Sequence, residues 1–488
     1  MLDITTLTIS DCHDLLVNKK ITAVEIVTSY LDRIRKYDPE IKAFITVTND
    51  LALASARVLD KKIASGQPVG QLAGSVMAVK DIFLTAGIET TSGSQLLKGY
   101  IPQYSSTVYQ RLLDEDAILV GKTNTDTFAF GGSTENSGYF TTHNPWNTDL
   151  VPGGSSGGSA AALSASLCTF SLGTDTGGSI RQPASLCGIT GIKPTYGRNS
   201  RYGITAMASS FDCPGAFAKN AADLALVTKI MAGADIHDAT SSPVTVADYS
   251  QELNAQTLSG LKIGLPKEYF GMGIDDEVKQ RILDTAEFFK KNGAEIIDIS
   301  LPNTKLGIAV YYILVPSEIS SNMARYDGIR FGQSQKGIDD LLQYYLDTRG
   351  EFMEPEIKRR VLIGTYALSS GYYDAYYTKA SKVRMIIKNE FIDAYKKVDV
   401  ILTPVSPTTA WPIGEKSNDP LAMYLSDVFT VCVNVAGLPS IALPCGFDSK
   451  NLPIGFQLIG NYFEESKLFS IAHQYQKLTN YHLQAPKI

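Results

Sequence analysis

Paired cysteines are missing from this sequence. Its six cysteines, Cys12, Cys168, Cys187, Cys213, Cys432 and Cys445, lie far apart, and no two form a Cys-x-x-Cys pair. That spacing argues against a zinc site or a disulfide framework and fits a reducing compartment. Histidine is scarce as well, with five in 488 residues. No run of lysine and arginine occurs, and the net charge is −6. A chain that grips nucleic acid by itself carries a basic face, so any tRNA or DNA is expected to be held mainly by another chain. No apolar run approaches the roughly 20 residues needed to cross a bilayer. The opening "MLDITTLTISD" has acid where a secretory leader has base. A cytoplasmic protein is expected.

What remains is an ordinary globular composition, 44% hydrophobic and 19% charged. The length allows one large domain with an insertion, or two to three smaller ones. "TAVEIVTSYLDRIRKY" opens with Thr22 and Glu25 in capping-box spacing, and Val24, Val27, Leu31 and Ile34 recur on one face, which predicts a helix. A second helix is expected over about 51–64. "SVMAVKDIF" (75–83), "AILVGKT" (117–123) and "CTFSLGTD" (168–175) read as buried strands, separated by helices such as "AAALSASL" (160–167). A polar, turn-rich stretch follows residue 240. Residues 305–395 are mostly helical and rich in tyrosine, and late strands are expected at 398–407, 438–447 and 453–460. The alternation predicts an α/β fold with a large mixed sheet and helices on both faces. Its expected layout is a single domain over 1–488: N-terminal helices to 66, a core of about 67–240 and 396–488, and a helical insertion of about 300–395.

The densest glycine and serine stretch is "PGGSSGGSAA", residues 152–161. It lacks the lysine of a Walker A loop and the spacing of G-x-G-x-x-G, so a phosphate cradle is disfavoured. Gly154 to Gly158 formally matches the G-x-S-x-G elbow of α/β-hydrolases, but that fold needs a late histidine base. The late histidines, His473 and His482, sit in a helix and in the terminal tail without an acid context. A serine hydrolase without histidine can use a lysine kept neutral. Lys80 lies inside the apolar run "SVMAVKDIF", where burial would lower its pKa, although a strand-end lysine can also reach out to water. "GTDTGGSIRQP" (173–183) follows a strand, breaks at Gly177-Gly178 and is expected to start a helix at Ser179. Uncommitted N–H groups of about 176–179 there suit an oxyanion, or Ser179 is merely an N-cap.

Taken together, "GGSSGGSAA", "GTDTGGSIRQPASLCGITGIKPTYGR" and Lys80 in "AVKDIF" resemble the amidase signature family. The resemblance implies that Lys80 is the base, Ser155 a bridging serine held through a cis peptide bond, and Ser179 the nucleophile. It further implies an oxyanion hole of Thr176, Gly177 and Gly178, and a rigid, buried "PGGSSGGSAA". "TTSGSQLL", "GGSTENSGYF", "HNPWN", "GRNSRYGITAMASSFD", "PSEISSNMARYDGIRFG", "RRVLIGTYALSSGYYDAYYTKASKVR" and "VNVAGLPSIALPCGF" extend the likeness over nearly the whole chain. "SSNMARYDG" and "LSSGYYDAYY" are similar to the tRNA-dependent amidotransferase branch of that family.

That branch implies hydrolysis of glutamine here and passage of ammonia to a B subunit. There, ATP and Mg serve the amidation of misacylated Glu-tRNA(Gln), or Asp-tRNA(Asn). A small C subunit clamps this chain to the B subunit in a heterotrimer. No cofactor or metal is implied for this chain. Arg360 matches the residue that holds the glutamine carboxylate, Asp427 the one that meets its ammonium, and Tyr311 a hydrogen-bonding wall. On pattern alone, Arg360 beside Lys358 and Arg359 is a solvated charge run. Two departures stand out. "TNTDTFAF" replaces the usual "NMDEFAM", putting Phe130 beside the pocket, and "FDCPGAF" replaces "LDQIGPF", putting Cys213 near the site. A stand-alone amidase of small or aryl amides would use the same three residues.

Overall fold

The computed structural model describes residues 3–271 and 273–488, so the first two residues of the acidic opening stretch lie outside it. Among the described residues, eleven strands form one sheet. They are β1 (Phe44–Val47), β2 (Val76–Lys80), β3 (Ile118–Thr123), β4 (Phe170–Thr174), β5 (Thr190–Lys193) and β6 (Pro214–Ala218) in the first half. The second half supplies β7 (Lys262–Pro266), β8 (Glu295–Ile299), β9 (Val400–Pro404), β10 (Ser440–Phe447) and β11 (Pro453–Ile459). Their order across the sheet is β1-β3-β2-β4-β6-β5-β10-β11-β9-β7-β8. β2 runs parallel to both β3 and β4, while β4–β6, β5–β6, β5–β10 and β10–β11 are antiparallel. The sheet is therefore mixed, as the sequence implied.

Helices cover both faces, and β2 shows why. Its side chains alternate between two cores. Met77 and Val79 join one with Leu224, Ile282, Val315 and Ile387 of later helices. Val76 and Ala78 join another with Ile26, Val27, Ala56 and Ala160 to Leu163. Lys80 belongs by parity to this second face, where helix Gly157–Ser164 lies wholly buried. Among the described residues no helix is long and apolar enough to cross a membrane.

The capping box forms as read: Thr22 Oγ1 accepts from the Glu25 N–H and Glu25 accepts in return from the Thr22 N–H at the head of helix Ala23–Ile41. Val27, Leu31 and Ile34 are buried, with Val24 at the margin. The second helix spans Asn49–Ala64. Among the boundaries that differ from the sequence reading, three bear on the site. β2 stops at Lys80 because the chain turns there, Phe83 N–H donating to the Lys80 carbonyl at 3.1 Å while Asp81 pairs with Lys122. The expected helix at 160–167 begins three residues earlier, inside the glycine and serine stretch. The turn that carries Ser179 is followed by helix Arg181–Cys187, so Ser179 is not its first residue. The tyrosine-rich block is indeed helical, with helices Gly307–Asn322, Leu341–Phe352, Pro355–Leu368 and Lys379–Ala394.

Candidate active site

Two parallel neighbours, β2 and β4, end side by side, with Val79 opposite Leu172. Their carboxyl ends carry Lys80 and Thr174, and the turn after β4 carries Ser179. A crevice at the carboxyl ends of parallel strands is where α/β sheets commonly place ligands. The third wall is the stretch 152–161, and every residue in it is buried. Its four glycines are needed for close approach. An added Cβ would meet Pro183 Cα at 2.9 Å from Gly153, the Ser133 nitrogen at 2.6 Å from Gly154, Pro152 Cγ at 2.9 Å from Gly157 and the Asn124 nitrogen at 2.6 Å from Gly158. The Gly154–Ser155 peptide is cis.

Lys80 is fully buried. Its Nζ lies 2.8 Å from Ser155 Oγ, 2.9 Å from Ser156 Oγ and 3.0 Å from Thr174 Oγ1. Among the described residues no carboxylate reaches ion-pair distance of it. Lys122, one strand away and equally buried, differs in having Asp81 at 3.0 Å. Burial lowers the Lys80 pKa to about 7, against the pull of Asp126, Asp175 and Asp212. The three hydroxyls sort themselves by their other bonds. Ser156 Oγ donates to the Thr174 carbonyl at 3.2 Å, so it can only accept from Lys80. A neutral amine has two donors and one lone pair. With Ser156 taking one donor, the lone pair can face Ser155 or Thr174, whose hydroxyls have no other partner among the described residues. The geometry thus allows the Ser155 proton to be directed at the nitrogen when the amine is uncharged.

Ser179 is half-buried, and among the described residues its hydroxyl makes no hydrogen bond, to Ser155 or to any other group. The contact that ties the two loops is backbone: the Ser156 N–H donates to the Ser179 carbonyl at 3.2 Å. The second link of a Ser179–Ser155–Lys80 chain is therefore not made, and Ser155 is engaged on Lys80 alone among the described residues.

The N–H groups of Thr176, Gly177, Gly178 and Ser179 donate to nothing among the described residues, whereas the next two, Ile180 and Arg181, both donate to Asp175 Oδ2. This corrects the N-cap reading of Ser179. Ile180 occupies that position, and Asp175 satisfies the helix start from outside. Four consecutive free donors in a turn form a site for an oxyanion. The turn is braced by the Arg181 guanidinium, which binds Asp175 at 3.0 Å and also reaches Gln457, Asn434 and the Thr430 carbonyl. Despite full burial, that guanidinium holds the Asp175 carboxyl down at about 2. Thr430 Oγ1 donates to the Gly177 carbonyl at 2.6 Å, and Thr176 Oγ1 to Asp212 at 2.8 Å. Gly178, at φ +144°, leaves no room for a Cβ against Thr430.

Of the three residues that the resemblance assigns to glutamine, Tyr311 and Asp427 border this turn, and Arg360 lies within electrostatic reach of both. A Cβ on Gly177 would lie 2.7 Å from the Tyr311 hydroxyl, and one on Gly178 would lie 3.3 Å from Asp427 Oδ1. Asp427 Oδ1 is shielded from water and has no partner among the described residues. Burial, with Asp175 nearby, pushes the Asp427 carboxyl up to about 8, against the pull of Arg360 and Arg181. Arg360 is not part of a solvated run. It is 3% exposed, while its neighbours Lys358 and Arg359 face outward. The rings of Phe130, Tyr312 and Tyr424 stand 5.6, 5.5 and 5.7 Å from its guanidinium carbon. Phe130, the departure from the family word, is thus one wall of the arginine pocket. Cys213 is a buried thiol donating to the Pro194 carbonyl at 3.1 Å, and burial raises its pKa to about 11, so it is no nucleophile at neutral pH.

Sequence reasoning passed over Ser156, Thr174, Asp126 and Asp175. Asp126 accepts from the Thr134 and Asn136 N–H groups and packs on Gly154, fixing the loop before the cis peptide. An acid between two threonines and an acid six residues before an arginine were the available signals. The two late histidines, His473 and His482, line a separate cavity of about 550 Å³ with Thr5, Lys219 and Asp223, and neither borders the serines. Among the described residues no cluster of three or more His, Cys, Asp or Glu could hold a metal.

Residues 25–469 match the family described as Amidase. The glutamyl-tRNA(Gln) amidotransferase A subunit of Microcystis aeruginosa is 51% identical over 478 residues, covering 98% of this chain and 99% of that protein. The corresponding protein of Heliobacterium modesticaldum is 49% identical, covering 99% of each. Among solved structures, the same amidotransferase component from Thermotoga maritima superposes with a TM-score of 0.83 at 38% identity, over 100% of this chain and 99% of that one. A peptide amidase solved with the inhibitor chymostatin gives 0.84 at 27% identity, over 100% of both chains.

Proposed function

The chain belongs to the amidase family, and from that premise we propose that it is the glutaminase subunit of a tRNA-dependent amidotransferase, working by a lysine–serine–serine relay. The observation that carries the chemistry is the buried Lys80, free of any carboxylate at ion-pair distance among the described residues, with the Ser155 hydroxyl at 2.8 Å able to give it a proton. Glutamine binds with its carboxylate on Arg360, a natural bidentate pair, and its ammonium on Asp427, with Tyr311 as a wall. Ser179 attacks the side-chain amide carbon as its proton passes to Ser155 and that of Ser155 to Lys80. The N–H groups of Thr176, Gly177, Gly178 and Ser179 hold the oxyanion. The proton returns along the same path to the leaving nitrogen, ammonia departs, and water cleaves the glutamyl ester to release glutamate.

Ammonia then passes to a B subunit that, with ATP and Mg, amidates misacylated Glu-tRNA(Gln) or Asp-tRNA(Asn), while a C subunit clamps the pair, in the cytoplasm. Net charge −6 and the absence of a basic run support leaving the tRNA mainly to the partner. A stand-alone amidase of aryl amides would leave Arg360 and Asp427 without a role, and relatives near 50% identity carry the amidotransferase name. The test is ammonia release from glutamine with and without copurified subunits, ATP and charged tRNA. Release that rises in their presence supports the reading, and equal turnover of aryl amides by the lone chain refutes it.

The pH profile follows from two groups. Lys80 can accept a proton only when neutral, above about 7, and Asp427 meets an ammonium only when ionised, above about 8. Both signs favour higher pH. kcat/KM for glutamine, which reports the free enzyme, is expected to rise through both ionisations. For an amide without an α-amine only the lower rise should remain. A glutamine profile falling between pH 6 and 8 would contradict both assignments.

A further inference from the structure

We propose that Glu356 is the positioning residue that turns Arg360 toward the substrate carboxylate, and so sets the preference for an amide bearing that carboxylate. The inference rests on the reading of Arg360 given above. Glu356 sits in the first turn of helix Pro355–Leu368, one turn before Arg360, and is buried. Its Oε1 accepts from Arg360 Nε at 2.8 Å and from the Tyr424 hydroxyl at 3.2 Å, and its Oε2 accepts from Arg359 Nη1. Both carboxylate oxygens are thereby committed.

Binding at Nε fixes one edge of a planar, five-donor fork. The opposite edge, Nη1 and Nη2, makes no hydrogen bond among the described residues. Arg360 borders a small cleft with Gly131, Ser133, Glu135 and Asn136, on the loop that packs against Gly154. Tyr424 does two things at once. Its hydroxyl holds Glu356, and its ring stacks on Tyr312 with centroids 3.8 Å apart, closing one side of the guanidinium pocket. An arginine so clamped meets a carboxylate without first losing rotamer freedom, which is where a flexible side chain would lose affinity. Without Glu356 the fork loses the acceptor that fixes its Nε edge. The effect belongs to binding of the carboxylate and not to attack on the amide.

The experiment uses the enzyme as purified with its subunits and compares glutamine with γ-aminobutyramide, which is glutamine lacking the carboxylate. For Glu356→Ala, KM for glutamine is expected to rise roughly tenfold or more with kcat within about twofold, while kcat/KM for γ-aminobutyramide stays within about twofold. Glu356→Gln, which keeps an acceptor for Nε, should fall between. Should the alanine variant fail to fold, Tyr424→Phe removes a single hydroxyl and should raise KM for glutamine alone by about two- to threefold. Glutamine and γ-aminobutyramide declining together would mean a structural role only, and unchanged KM would remove the role altogether; either overturns the proposal. Wild-type enzyme that uses both amides equally well would instead remove Arg360 as carboxylate ligand, a failure visible without any variant.

Discussion

Replacing Ser179 with alanine is expected to lower ammonia release from glutamine by on the order of 10⁴-fold or more, as loss of a nucleophile does when the rest of a site is intact. The hydroxyl removed is bonded to nothing, so the loss can be read without a structural side effect. Ser179 is half-buried, and among the described residues its Oγ has no partner. No donor or acceptor is orphaned, so stability should move by no more than about 0.5 kcal/mol, and an unchanged melting curve would show that the loss lies in the chemistry. The free N–H groups of residues 176–179 remain, so glutamine and glutamate should still bind. Wild-type enzyme quenched in acid during turnover should carry one glutamyl group mapping to the Ser179 peptide, and the variant none. Retained turnover in the variant would exclude Ser179 as nucleophile.

Lys80→Met should be nearly as damaging, with a loss of about 10²–10⁴-fold expected for a missing general base. Methionine keeps an unbranched apolar side chain, shorter than lysine by the terminal atom, at a position whose strand neighbours on that face are Val76 and Ala78. What goes is an amine whose proton burial disfavours. The sign for stability follows from that. Lys80 titrates near 7 in the folded chain against the ordinary lysine value of 10.5, so between these values the unfolded chain binds more protons and wild-type stability rises with pH. The variant does not share this gain. Its melting temperature relative to wild type should therefore be highest below pH 7 and decline towards pH 10. A variant that stayed active would leave the relay without a base.

The sequence disclosed some of this and hid the rest for physical reasons. β2, β3, β4 and β9 to β11 are buried on both faces and read as unbroken apolar runs. β5 (TGIK) and β6 (PGAFA) are equally buried but each carries a single large apolar side chain, Ile192 or Phe217, so nothing local marks them as strands. Lys80 was visible because a charge inside an apolar run is out of place. Ser156 and Thr174 were not visible. Hydroxyls are common, and only the pairing of β2 with β4 puts them on one nitrogen. The helix after Ser179 was placed two residues early because glycine followed by serine resembles a cap, whereas Asp175 supplies that bond from the end of β4. Arg360 looked solvated within "KRR". Its burial depends on Phe130, Tyr312 and Tyr424, which come from three distant segments, and resemblance alone had raised it above a surface charge.

The relay stands or falls on the ionisation of Lys80, which can be measured by itself. In protein labelled at lysine ¹³Cε, the resonance absent from Lys80→Met should titrate near pH 7, so that a large share of the amine is uncharged under neutral conditions. A resonance that keeps the ordinary lysine midpoint above about 10 would show a permanently charged ammonium beside Ser155, and would contradict the relay at its base.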